Sequence, residues 1–207
     1  MTPILEFPLL PQPPTRPEPT HAPDPDPVRP RRRRPRCLRR QKKGRPPPPP
    51  PADVQSIDAI VAALYDVISG DAGEARDWDR FRSLFHPSAR LMPTGRDAQG
   101  QPVVRAVSPD DYIARSEPFM LEQGFHEREL ARRVERFGAI AHVFSTYDAR
   151  HRLSDPEPFA RGINSIQLFH DGARWWVLSV YWQAETPETP LPAEYLLPSP
   201  TRAWPAE

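Results

Sequence analysis

Three residues in the second half of this 207-residue chain could bring chemistry to one place. His142, in "IAHVFSTYD", carries an imidazole whose unperturbed pKa of about 6.5 suits general acid–base work near neutral pH. Asn164, in "RGINSIQLF", offers an amide able to hydrogen-bond a carbonyl oxygen. Trp182, in "VLSVYWQAE", supplies a broad aromatic wall. Ile166 occupies an alternate position beside Asn164, and Leu178 and Val180 precede Trp182 at the same period of two. In strands these would share a face, and apolar walls around one polar group are the usual make-up of a small-molecule site. The alternate neighbours of His142 are Phe144 and Thr146, and Asp148 lies too far along to orient its ring directly. A lone histidine of this kind is as readily satisfied by hydrogen bonds beside a sheet, so both readings stay open.

Other chemistry finds little footing. The six histidines show no pair at i, i+2 or i, i+4, so no metal site is expected. No glycine-rich phosphate loop, nucleophile elbow or cofactor motif occurs. A single cysteine, Cys37, excludes an intramolecular disulfide and a cysteine zinc site, and a reducing, cytoplasmic setting is expected. Glu127, Glu129, Arg132, Arg133, Glu135 and Arg136 interleave signs along one segment, which reads as cross-strand salt pairs on a solvated or dimer-facing surface.

The elements that would position these groups begin only after residue 52. Eighteen of the 31 prolines fall within the first 51 positions, with twelve Lys and Arg against four Asp and Glu. Residues 1–52 therefore read as a basic, disordered tail, with nucleic acid a weak possibility through "RPRRRRPRCLRRQKKGR". The composition also matches translated GC-rich DNA upstream of a GTG start at Val54; a native peptide spanning residues 29–51 in mass spectrometry would refute that reading. "MTPILEFPLLPQPP" lacks the basic start and unbroken apolar run of a signal peptide, and no stretch is long and apolar enough for a membrane helix.

Residues 53–187 form the expected domain. "ADVQSIDAIVAALYDVISG" carries the helical stripe Ile57, Ile60, Val61, Leu64 and Ile68, with Asp53 as cap and Gly70 as stop. "DWDRFRSLF" reads as a second helix capped by Asp77 and ended by Pro87, before a short strand at "ARLMPTG". A third helix starts at Ser108 and Pro109 and is expected to kink or stop at Pro118. The period then falls to two: "FHERELARRVERF" and "IAHVFSTYDARHR" flank Gly138, while "GINSIQLF" and "RWWVLSVYWQAE" flank Asp171-Gly172, which suggests a type I′ turn. Residues 188–207 are proline-rich and read as irregular. Helices first and a long antiparallel sheet afterwards make the fold class α+β.

"ALYDVISG", "DWDRFRSLFHPSARL" and "FHDGARWWVLSVYW", in that order, resemble the nuclear transport factor 2-like superfamily, which includes ketosteroid isomerase, scytalone dehydratase and the SnoaL-type polyketide cyclases. The resemblance spans residues 53–185. It implies a cone-shaped curved sheet wrapped around the N-terminal helix, with two further helices, a pocket inside the cone and a homodimer. The isomerase chemistry does not carry over: Met92 stands before Pro93 where that family has its catalytic base. The family's tyrosine would fall near Ala63, and Tyr65 lies about 200° further around the helix. Asn164 takes the position of the second oxyanion donor.

The expectation is a protein that binds a small apolar or carbonyl-bearing molecule through Asn164, Ile166, Leu178, Val180 and Trp182. The alternatives are a dehydratase, isomerase or cyclase-type enzyme with His142 as acid or base, and a dimeric interaction module without ligand.

Overall fold

The computed structural model describes residues 48–197, so the readings made for residues 1–47 and 198–207 lie outside the described residues. Helix α1 (Ile57–Ile68) takes Ser56 as its cap, with the Ala59 N–H donating to Ser56 Oγ at 3.1 Å. Asp53, the expected cap, lies instead in a short 3-10 turn (Pro51–Asp53) and accepts the Arg80 guanidinium at 2.7 and 3.1 Å. The apolar stripe does not bound what α1 buries. Ile60, Val61, Ala63, Leu64, Tyr65, Val67 and Ile68 are all buried, and only the strip of Asp58, Ala62 and Asp66 stays exposed. Its last carbonyls are closed by Arg76, whose guanidinium donates to Ile68 O at 3.0 Å and Gly70 O at 2.5 Å.

Helix α2 (Trp78–Leu84) is capped by Asp77, as the sequence predicts, and passes directly into strand β1 (Phe85–Arg96). Pro87 therefore stands in a strand rather than ending a helix. The pairing of β1 is interrupted between Phe85 and Arg90, so the missing N–H of Pro87 falls where the ladder is already broken. After β2 (Pro102–Val104), helix α3 (Pro109–Gln123) opens with a reciprocal capping box between Ser108 and Asp111. It runs through Pro118 without stopping. Pro118 and Ala114, whose carbonyl loses its partner, are both exposed, and Ile113, Ser116 and Met120 anchor the turns on either side. Gly124 ends the helix at φ 74°, and a Cβ there would lie 2.5 Å from the His151 carbonyl oxygen.

Four long strands follow, β3 (His126–Phe137), β4 (Ile140–Arg150), β5 (Ala160–His170) and β6 (Trp175–Ala184). The sheet order is β2-β1-β6-β5-β4-β3. β1 pairs with β6 in parallel, so the sheet is mixed and not wholly antiparallel as predicted. The reason is topological: β1 joins the sheet beside a strand reached only after α3 and three further strands, with no hairpin to reverse it. The β5–β6 connection is a four-residue loop, Asp171 to Arg174, in which only Gly172 has positive φ. A type I′ turn needs positive φ at both central residues. Here Asp171 Oδ1 instead accepts the N–H groups of Ala173 and Arg174 at 2.8 and 2.9 Å.

The core lies between α1 and the inner face of the sheet, where Val143, Ile166, Leu168, Trp175 and Val177 are essentially inaccessible. The C-terminal 3-10 turn (Ala193–Tyr195) packs on the opposite face. Thr146 Oγ1 donates to Tyr195 O at 2.7 Å, and the Tyr195 ring meets Phe144 at 5.2 Å. No helix among the described residues is long and apolar enough to cross a membrane.

Candidate functional site

Strand register decides which polar groups meet. Asn164 pairs with Ser145 on β4 and with Trp182 on β6, and all three turn toward α1. From α1, Tyr65 reaches the same point. Asn164 Nδ2 donates to the Tyr65 hydroxyl at 3.1 Å and to Glu127 Oε1 at 3.0 Å. The Tyr65 and Ser145 hydroxyls are 2.7 Å apart, and Ser145 Oγ donates to Glu129 Oε1 at 2.5 Å. Since Ser145 gives its proton to Glu129, it accepts from Tyr65, and Tyr65 in turn accepts from Asn164. The polar string thus runs in one direction, from Asn164 to the Glu129 carboxylate, which Arg132 holds from the far side at 2.5 Å. Both amide hydrogens of Asn164 are committed within the protein.

Glu127 and Glu129 point inward because they sit two apart on β3, ahead of a bulge between Glu129 and Ala131. Their arginine neighbours do not reach Glu127: Arg128 turns outward to pair with Asp148 at 2.8 Å, and Arg132 pairs with Glu129. The Glu127 carboxyl consequently has Asn164 as its one hydrogen-bond partner and no cation among the described residues. Desolvation pushes its pKa from 4.5 up to about 7; the Asn164 hydrogen bond opposes the rise and Asp148 adds to it. Three tyrosines stand around it. Burial, and then the Glu127 charge, push Tyr65, Tyr112 and Tyr147 far above the ordinary phenol value. The Tyr147 hydroxyl makes no hydrogen bond among the described residues, and the buried Ser116 hydroxyl, one turn along α3 from Tyr112, has no well-formed partner.

Burial is uneven across this group. Tyr65, Tyr147 and Asn164 are buried, whereas Glu127, Tyr112 and Trp182 keep part of their surface accessible. The Tyr112 and Trp182 rings meet edge to face at 6.2 Å. Gly162 makes room for the Tyr147 ring: it pairs with Tyr147 across the β4–β5 ladder, and a Cβ there would lie 2.6 Å from the Tyr147 hydroxyl and 2.3 Å from Gln183 O. Gly162→Ala is therefore expected to destabilise the fold by about 1–3 kcal/mol through overpacking. Its effect is readable as a lowered denaturant midpoint, and an unchanged midpoint would show that the ring can move aside.

The residues named from sequence divide between the faces. Asn164, Ile166, Val180 and Trp182 stand on the inner face. Leu178 falls at an irregularity where Val177 pairs with Leu168 and Ser179 with Gln167, so Val177 takes the inward place and Leu178 leaves that series. His142 is on the outer face. It pairs with Gln167, and its Nε2 lies 2.9 Å from Ser165 Oγ. The packed core side of the sheet separates it from Asn164, and the two cannot act on one molecule. Glu127 and Glu129 are not the solvated salt pairs that their charge pattern suggested. Their spacing of two was the available signal, but the bulge that reverses the face after Glu129 leaves no mark in the sequence.

Several solved structures that share little sequence with this chain are similar to it. A Nostoc punctiforme protein of unknown function with a cystatin-like fold matches at TM-score 0.49 and 8% identity, covering 64% of this chain and 91% of that one. A nuclear transport factor 2-like protein of unknown function from Silicibacter pomeroyi matches at TM-score 0.44 and 17% identity, covering 63% and 94%. A nuclear transport factor 2-like protein from Shewanella baltica, also of unknown function, matches at 0.37 and 14%, covering 63% and 98%. No family model matches the sequence, and no curated protein does. The fold class of the described residues, three α-helices and a six-stranded mixed sheet, is α+β. At these identities and TM-scores the likeness carries no particular chemistry with it.

Proposed function

We propose that the inner face binds a small molecule in a recess bounded by Glu127, Tyr112, Tyr147, Asn164 and Trp182. The observation that carries this reading is the Glu127 carboxyl. It is desolvated, has no cation among the described residues and has one protein hydrogen bond, in a residue that is only partly buried. A carboxyl in an apolar interior is costly unless a partner satisfies it, and a ligand can be that partner. Saturation-transfer NMR with small aromatic fragments tests the reading. Binding should be lost in Trp182→Ala and Tyr112→Ala while circular dichroism is retained, and fragments that bind both variants unchanged would refute the site.

A second reading makes Glu127 a general acid or base in a dehydratase, isomerase or cyclase-type reaction. Its favouring observation is a carboxyl held near neutrality, where proton transfer in both directions is efficient. His142, on the other face, has no part in it. Asn164, with both amide hydrogens engaged, acts as a positioning residue that holds Glu127 rather than as a donor to a carbonyl. We also infer a homodimer through the outer sheet face, where Tyr181 is 44% exposed and, further along the same strands, Trp176 pairs with Phe169. Sedimentation velocity at tens of micromolar should show a dimer; a monomer would remove that inference.

A further inference from the structure

We propose that the occupant of this recess is a small organic cation, an alkylammonium or quaternary ammonium group on an apolar body, with its charge against Glu127 and its methyl or methylene groups against Tyr112 and Trp182. This rests on the reading of the inner face as a ligand site and narrows the class of ligand it takes.

The charge inventory around Glu127 points this way. From β3, His126 is turned to Asp71 at 2.8 Å, Arg128 to Asp148 at 2.8 Å, and Arg132 to both Glu129 and Asp58. From β4, Asp148 is held by Arg128 and Arg150, and Tyr147 presents a neutral phenol. From α1 and α3 come Tyr65 and Tyr112, and from β5 the neutral amide of Asn164. His151, after β4, is stacked on Phe159 at 4.3 Å and directed to Gly124 O. Every described positive group near the recess is thus already paired with another acid or directed elsewhere, and Glu127 is left over. An anionic ligand would meet this carboxylate and gain no cation in exchange. A cation supplies the missing charge where the local dielectric makes it count.

The walls suit the same chemistry. Tyr112 and Trp182 stand edge to face, at an interplanar angle of 86°. One face of the Tyr112 ring is stacked on Phe81 at 5.5 Å, so the aromatic surface left to an onium group is that of Trp182 and the uncovered part of Tyr112, to which the ring quadrupole attracts it. Trp182 adjoins Asn164 across the β5–β6 ladder and Asn164 bonds Glu127, so rings and carboxylate belong to one layer. The unpartnered Tyr147 hydroxyl is free to bond a polar atom on the same ligand.

An isosteric pair tests this on the full chain: benzyltrimethylammonium, whose charge does not titrate, and neopentylbenzene, which has the same shape without charge. Isothermal titration should show the cation binding at least about tenfold more tightly at about pH 8.5 than at about pH 5.5, because a bound cation and a proton compete at Glu127. Glu127→Gln should abolish that pH dependence and reduce cation affinity at about pH 8.5 by roughly tenfold or more, while leaving neopentylbenzene binding in place. If the hydrocarbon binds and the cation does not, or if Glu127→Gln leaves cation binding unchanged, the cation proposal is overturned and the ligand-site reading stands. If neither compound binds at any pH, both are overturned.

Discussion

Glu127→Gln is expected to raise the thermal midpoint at alkaline pH and to leave it nearly unchanged in acid. The direction follows from linkage. Burial lifts the Glu127 carboxyl from 4.5 to about 7, so between those values the folded protein holds a proton that the unfolded chain has released. Stability from this group is fully present below about pH 4.5, falls as pH rises toward 7, and is absent above it. The interval corresponds to roughly 3 kcal/mol, which the wild-type protein loses on ionising a desolvated carboxyl and glutamine does not lose. Glutamine keeps an acceptor for Asn164 Nδ2. Denaturant unfolding of both proteins at about pH 5 and about pH 8.5 measures the effect. Parallel pH curves for the two would mean that the carboxyl is solvated and that the recess is not where the ligand reading places it.

Asn164→Leu should move the same group the other way. The substitution roughly preserves volume but deprives Glu127 of its one hydrogen bond and Tyr65 of the donor that orients it. An unpaired buried polar group costs about 1–3 kcal/mol, so the variant should unfold at correspondingly lower denaturant. Because the Asn164 bond holds the carboxyl down, its loss should lift the Glu127 titration further above neutrality. A carbon-13 carboxyl titration would show the shift directly. If stability and titration both stayed as in the wild type, the amide would have to face elsewhere, and the string from Asn164 through Tyr65 and Ser145 to Glu129 would lose its organising residue.

Much of the frame was legible in the residues themselves. The caps at Asp77 and Ser108, the change of period after α3 and the breaks at Gly138 and Asp171 are local signals, set by backbone and side chains a few positions apart. They suffice for the order of helices and strands, and so for the α+β class. Even locally the competition between candidates escaped the pattern: Ser56 took the cap of α1 because a distant arginine, Arg80, claimed Asp53.

The site was decided by tertiary structure. Alternation along β4 shows that His142 and Tyr147 point to opposite faces, but not which face looks inward; the register of Ser145 opposite Asn164 settles it and sends His142 out. The irregularity in β6 exchanges Leu178 for Val177, and the bulge in β3 turns Glu127 and Glu129 in while Arg128 turns out, because a one-residue offset inverts every side chain beyond it. Tyr65 enters because α1 is covered everywhere but along the strip of Asp58, Ala62 and Asp66, so an angular offset around the helix does not exclude a residue from the interior. Sequence alone determined which strands exist and which residues alternate along them. Only the assembled sheet decided that one carboxyl, Glu127, would be stripped of its cations and held by a single amide, since ion-pair partners are allotted by proximity between strands and not by order along the chain.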